Sequence, residues 1–402
     1  MTPWPEVNLR RLTKLGTGHT PSRQHPEYWE NCTVPWLTLA DVWQLRDGTK
    51  SRLDETSEKV SELGLANSAA VVHPAGTVAM SRTASVGFSC ILDRDMATSQ
   101  DFVTWTCGPL LDPRFLLHSL RGQRDRILGM RMGSTHQTIY MPDVERITTP
   151  LPPIAQQRAI ADFLDTETAR VYALIAKKLR LNDLLATRLR VRAGSLTRFG
   201  PRLPARRCLA GVRTGSTPNA DSAHLIREAG DVEWFSPGDF KDGLSVDVSA
   251  RNIERSAIDS RVVPAFPAHT VLIIGIGATA GRVAYLDREA SGNQQVTCLI
   301  PNGLIRPRFL AWQLLAKVEE IRLTAPFTTL PILNNEFLRS LPVHVPTLRE
   351  QDQRVAQLDS ELARTARLQA QLAHQIDLLR ELRRALITAA VMGEMEVPGV
   401  AA

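Results

Sequence analysis

The sequence predicts an α+β protein made by tandem duplication: two mixed α/β domains, each followed by a long α-helix able to bury its apolar stripe against the other. Three observations carry this. Short motifs recur at a nearly constant offset, two stretches keep a heptad-type apolar register, and the segments between them carry short β-rich runs broken by turn residues.

The repeats come first because they set the domain plan. LGTGHTPS at 15–22 is answered by VRTGSTPN at 212–219, and VPWLTLADV by VEWFSPGDF, which pairs Trp36 with Trp234 and Asp41 with Asp239. PAGTVAM is answered by PAHTVLI, LDRD by LDRE, and PRFL occurs at 113–116 and again at 307–310. Leu164 and Asp165 pair with Leu358 and Asp359, so the offset runs 197, 198, 193, 194, 194, 194 along the chain. Chance composition does not hold an offset that steady. The boundaries that follow are a first mixed domain over 1–150, a central helical segment over 151–200, a second mixed domain over 201–345 and a C-terminal helical segment over 346–402.

In each mixed domain, runs such as TVAMS, TVLIIGI and RVAYLD alternate with Gly, Pro, Asn and Asp turns, and short helices follow PRFL near 113–128 and 307–322. The helical segments open on LPPIAQQRAIADFLD (151–165) and VPTLREQDQRVAQLD (345–359). Pro152 and Pro153 fall where a first turn tolerates proline, and Thr347 with Glu350 forms a capping box. The predicted seam comprises Leu164, Val171, Ile175, Leu185 and Leu189 in the first copy, and Val355, Leu358, Leu362, Leu372, Ile376, Leu379 and Leu386 in the second. About 36 residues make a rod of roughly 54 Å. A hairpin that merely stabilises the protein is the plainer reading, and a spacer holding two domains apart the favoured one.

Composition narrows the function classes. The charged fraction of 22% and hydrophobic fraction of 43% are those of a soluble globular protein, and no run of 18 apolar residues predicts a membrane span. The N-terminus lacks a secretory layout, and five scattered cysteines without a CxxC pair point to a reducing cytoplasm and away from zinc or disulfides. A net charge of +6 suits a polyanionic partner without requiring one. IIGIGATAG (273–281) departs from the GxGxxG spacing and is absent from the first copy, so it reads as a structural turn. There is no Walker A, HExxH or GxSxG motif, no Asn/Asp-Pro-Pro-aromatic loop and no endonuclease-type acidic cluster. A duplicated, basic, motif-poor chain reads as a binder with no catalytic residues and no metal site of its own.

With these residues in view, the layout resembles the specificity subunit of type I restriction–modification systems over essentially the whole chain. PLPPIAQQRAIADFLD looks like the stretch that opens that family's long helices, with Gln156 where glutamate is usual, and ALITAAVMGEMEV (385–397) is similar to its C-terminal ending. GSTHQTIYMPDVERITTPLPP resembles the close of its recognition domain. The resemblance implies two target-recognition domains in tandem, each followed by a long α-helix, with the helices forming an antiparallel coiled coil. Each domain would read one half of a split, asymmetric site in double-stranded DNA, and the helices would set the gap. Two methylation subunits would dock around the helices and bring S-adenosylmethionine. Restriction (motor-nuclease) subunits would use ATP and Mg2+. The chain itself would carry no cofactor.

Basic and polar residues in predicted loops are the candidate DNA contacts, because lysine and arginine neutralise phosphates while forked and amide side chains read base edges. They are His19, Arg23, Gln24, Arg82, Arg131, Ser134, His136 and Gln137 in the first copy, and Arg213, Ser216, Asn219, Lys241, Arg282, Thr328 and Thr329 in the second. Gly18, Thr20, Pro21 and Trp36 recur in both copies, so they serve the fold. The rival reading is a protein-binding scaffold dimerised through its coiled coil, which would show no salt-dependent affinity for DNA.

Overall fold

Alternating apolar residues in the β-rich runs build the same two sheets twice. The computed structural model describes residues 3–133, 137–228, 230–241, 243–246, 248–325 and 332–400. It divides into two compact units, Met1–Lys178 with His374–Ala402, and Leu179–Ala373.

In the first unit, one sheet runs in the order Thr13–Thr17, Phe102–Cys107, Val78–Ser81, Ser89–Leu92, Arg52–Leu53. In the second unit, Leu209–Thr214, Val296–Pro301, Thr270–Ile274 and Val283–Leu286 keep that order. The second sheet carries a parallel pair in each unit, Val34–Leu37 with Met96–Thr98 and Val232–Phe235 with Ser291–Gly292. In strand order, the described residues of the two copies differ at sheet edges. A two-stranded ribbon beside each helix start repeats too, Glu6–Asn8 with Thr148–Pro150 and Arg202–Pro204 with Pro342–His344.

The recurring motifs are explained by close packing. A Cβ on Gly18 would lie 1.7 Å from the Thr98 carbonyl oxygen, and one on Gly215 would lie 2.1 Å from that of Gly292. Only glycine lets these strand ends touch. Trp36 and Trp234 are buried. Asp41 and Asp239 close capping boxes on Thr38 and Ser236 and also accept from the amides of Ser57 and Ala250. The glycine stretch at 273–281 is the turn of an antiparallel hairpin: Ile274 N–H donates to Arg282 O at 2.9 Å, and Gly277 takes φ +106°.

Each PRFL motif starts a helix, Pro113–Gly122 and Pro307–Ala316, followed by a second short one. Their inner faces pack on the sheets, with Phe115, Leu116, Phe309 and Trp312 fully buried.

The long helices run Ile154–Thr197 and Leu348–Met392, 44 and 45 residues, roughly 66 Å of helix each and longer than the expected rod. Pro153 stands just outside the first helix, where its carbonyl accepts from Gln157 N–H at 3.0 Å. The Thr347–Glu350 box is formed, with Thr347 N–H to Glu350 Oε2 at 3.0 Å. Pairing is antiparallel in each unit: Lys178 Nζ donates to Gln375 Oε1 at 2.7 Å, and Arg192 Nε to Glu361 Oε1 at 3.1 Å. Every predicted seam residue lies on a covered face, none exposed. The stripe is shared, however. Leu164, Leu386, Ile387 and Val391 join the core of the first mixed domain, while Leu189, Ala193, Leu358 and Leu362 join that of the second. Helix ends are domain core, and helix middles are coiled coil.

What bolts each helix start to its domain is one buried glutamine. Gln157 Nε2 donates to Leu110 O and Pro152 O at 2.9 and 2.8 Å, and its Oε1 accepts from Asp112 N–H at 2.8 Å. Gln351 repeats all three bonds, to Leu304 O, Pro346 O and Arg306 N–H. Two turns on, Asp165 accepts from Arg114 at 3.2 Å and His118 Nε2 at 2.8 Å, as Asp359 does from Arg308 and Trp312. Burial holds His118 below its ordinary pKa against the pull of Asp165. Burial by itself would raise Asp165, but the hydrogen bond from His118 and the charge of Arg114 leave its carboxyl below the usual range.

Candidate nucleic-acid interface

The strand ends next to the repeated TPS/TPN loops carry one polar frame in both units. In the first, Thr20 Oγ1 donates to Gln100 Oε1 at 2.6 Å. In the second, Thr217 Oγ1 donates to Gln294 Oε1. Bridges between Thr83 and Thr138 and between Ile276 and Ile332 seal the neighbouring loops at equivalent positions.

On that frame the side chains differ. In the first unit, Arg82 Nε donates to Gln100 O at 3.0 Å and its Nη1 to Ile139 O at 3.4 Å. Arg131 Nη1 donates to Gln137 Oε1 at 2.6 Å, and Gln137 O accepts from Ala84 N–H. His19 is exposed beside them, tied by its own N–H to Thr98 O. Arg82, Arg131, Gln137 and His19 therefore converge. Arg23 lies farther along the same loop, ion-paired with Glu58 at 2.8 Å and stacked 4.2 Å over Trp29, with Gln24 exposed next to it.

In the second unit, Arg213 holds Ala265 O at 2.8 Å, Ser216 Oγ donates to Val262 O, and Asn219 caps the short helix at 220–225. Thr214 Oγ1 donates to Asn335 Oδ1 at 3.0 Å. Lys241 and Arg282 do not join this group. They line a cavity against the long helices, where Arg282 Nη1 donates to Phe240 O at 3.4 Å. Ser134, His136, Thr328 and Thr329 lie outside the described residues. Sequence reasoning passed over Gln100, Gln294 and Asn335. The signal available was the recurring Thr20/Thr217 pair, since a repeated hydroxyl needs a repeated partner.

Duplicated sheets on paired helices, with loops that vary on a constant frame, define a class of two-module recognition proteins. Residues 1–181 and 209–378 match the family described as type I restriction modification DNA specificity domain, and the chain belongs to that family. It is 22% identical over 186 residues to the type I restriction enzyme MjaIX specificity subunit of Methanocaldococcus jannaschii, covering 45% of this chain and 41% of that protein. It is 23% identical over 174 residues to the EcoR124I/EcoR124II specificity subunit of Escherichia coli, covering 40% of each. The matches thus span about two-fifths of the curated relatives. Among solved structures, a chain from work on assembly and conformational transition of the type I R-M system superposes with TM-score 0.74 at 18% identity, covering 98% of this chain and all of that one. The HsdS subunit from Thermoanaerobacter tengcongensis gives 0.50 at 17% identity over 98% and 97%. Those likenesses concern the fold. No helix among the described residues is long and apolar enough to cross a membrane.

Proposed function

We propose that this chain is the non-catalytic, sequence-specific DNA-binding specificity subunit of a cytoplasmic type I restriction–modification complex. Each mixed domain reads one half of a bipartite, asymmetric site in double-stranded DNA. The single observation that carries this is the constant Thr–Gln frame under unlike side chains: Arg82, Thr83 and Thr138 in one unit stand where Gly275, Ile276 and Ile332 stand in the other. Two readers of different sequences need one scaffold and different contacts.

Methylation subunits supply S-adenosylmethionine chemistry, and restriction subunits supply ATP- and Mg2+-dependent cleavage. A second apolar row on the central helix, Leu174, Leu181, Leu184 and Val191, is exposed at spacings of 7, 3 and 7, and Leu368, Leu378 and Leu382 are exposed on its counterpart. Heptad spacing outside the seam suits docking of partner helices better than solvent.

The test reconstitutes the chain with its methylation subunit and maps modified adenines on random-sequence DNA. A split, asymmetric site is expected, with affinity falling steeply as salt rises. Arg131→Ala with Gln137→Ala should relax one half-site and leave the other intact. A protein-only scaffold would show neither site nor salt slope.

A further inference from the structure

Five arginines in the first unit converge on one cavity of about 330 Å³, walled by the 45–48 turn, the 87–89 strand start, the 121–125 helix junction and the C-terminal helix at 383–388. Arg46, Arg121, Arg124, Arg383 and Arg384 face a single acid, Asp125. Among the described residues none of the five is ion-paired, whereas Arg10, Arg23, Arg52 and Arg114 of the same unit all have carboxylates. The bonds they do make are to neutral groups. Arg121 donates to Ser51 Oγ, Lys50 O and Ser89 O at 3.0, 3.1 and 3.3 Å. Arg383 lies 4.8 Å over the Tyr172 ring and donates to Asp47 O, and Arg124 lies 5.5 Å over Phe88. Arg46 and Arg384 are exposed at the rim.

Guanidinium groups do not give up their protons, so four net positive charges share this space. Neutral carbonyls and aromatic faces orient the forks but leave the charge uncompensated. A counter-anion relieves the repulsion, and planar forks match phosphoryl oxygens two at a time. A duplex presents its phosphates on a convex surface, whereas these arginines enclose a point from three chain segments. We propose that the cavity is a binding site for a small phosphate-bearing anion, a pyrophosphate or the polyphosphate of a nucleotide, which ties the C-terminal helix to the first mixed domain.

The duplication supplies an internal comparison. A cavity of about 370 Å³ occupies the equivalent place in the second unit, with Lys241 for Arg46, Glu319 for Asp125 and Arg190 for Arg384. There, four cations meet two acids, Asp183 and Glu319. The shape was kept and half of the charge excess was not.

The experiment titrates the purified full chain with sodium pyrophosphate by calorimetry at constant ionic strength. One site is expected, with a matching rise in thermal stability. Arg46→Gln and Arg384→Gln should each weaken it about tenfold, the equivalent of one charge-assisted hydrogen bond. Circular dichroism without the anion should be unchanged. Arg384→Lys should fall between, and Lys241→Gln with Arg190→Gln should leave binding intact. Absence of binding overturns the proposal. So does equal binding of sulfate, or indifference to the rim variants. Loss of nonspecific duplex affinity in the rim variants, without pyrophosphate binding, assigns the arginines to the DNA backbone and also overturns it.

Discussion

Adjacent glutamines at the start of the central helix should respond to the same substitution in opposite ways. Gln157→Leu removes a fully buried side chain that satisfies one amide and two carbonyls of the first unit, at 2.8, 2.8 and 2.9 Å. A buried polar group left unsatisfied costs about 1–3 kcal/mol. Three such groups, the carbonyls at the low end because each keeps a second lone pair, sum to about 4 kcal/mol. The added apolar burial of leucine offsets about 1 kcal/mol. The net loss of about 3 kcal/mol lowers the melting temperature by roughly 6–12 °C for a unit of this size. Gln156 differs by one position on the helix. Its Oε1 is buried without a partner among the described residues. Gln156→Leu removes an unsatisfied acceptor, so it should be neutral or stabilising by up to about 1 kcal/mol. Thermal unfolding followed by circular dichroism measures both, and native-state hydrogen exchange at the Asp112 amide reports the lost bond directly. Equal shifts for the two variants, or a Gln157→Leu protein that melts with the parent, would refute the reasoning. Gln351→Leu should repeat the Gln157 result in the second unit.

Two further outcomes follow from the same geometry. His118 is held neutral in the folded state, so the unfolded chain takes up a proton near pH 6.5 that the folded chain refuses, and stability falls as pH drops below about 6.5. Asp165, lowered from 3.8, adds a loss in the same direction below about that pH. Melting curves from pH 8 to 5 should show the His118 contribution, and His118→Gln should flatten it; a slope that survives the variant assigns it elsewhere. A fragment of residues 1–200 lacks the 374–402 segment that supplies Ile387, Ala390, Val391 and Val397 to the first unit's core. The end of its own helix is the repeat of that segment, Ala193 standing for Ile387, so two fragments should pair as a twofold dimer by light scattering. With the methylation subunit they should modify an inverted repeat. A monomeric fragment would show that the repeat cannot substitute.

Local signals carried the duplication, the helix starts and the apolar seam, because periodicity, capping and turn chemistry act within a few residues. The Thr347–Glu350 box and the Pro113 and Pro307 helix starts needed only neighbouring positions. A repeated motif also marks a constraint before its nature is known, as Gly18, Gly215, Asp41 and Asp239 do. Only tertiary structure decided what those constraints were. Of the two glutamines in AQQRA, Gln157 is the bolt because the helix turns that position, and not Gln156, toward backbone groups more than 40 residues away. Equally, Arg82 and Arg131 come to one loop cluster while Lys241 and Arg282 go to a cavity, although the sequence presents all four alike. Nothing near Arg46 in the chain announces Arg121 or Arg384. Charge convergence is a property of distant segments brought together by burial of apolar faces elsewhere, so it is written in the packing and not in any stretch of residues.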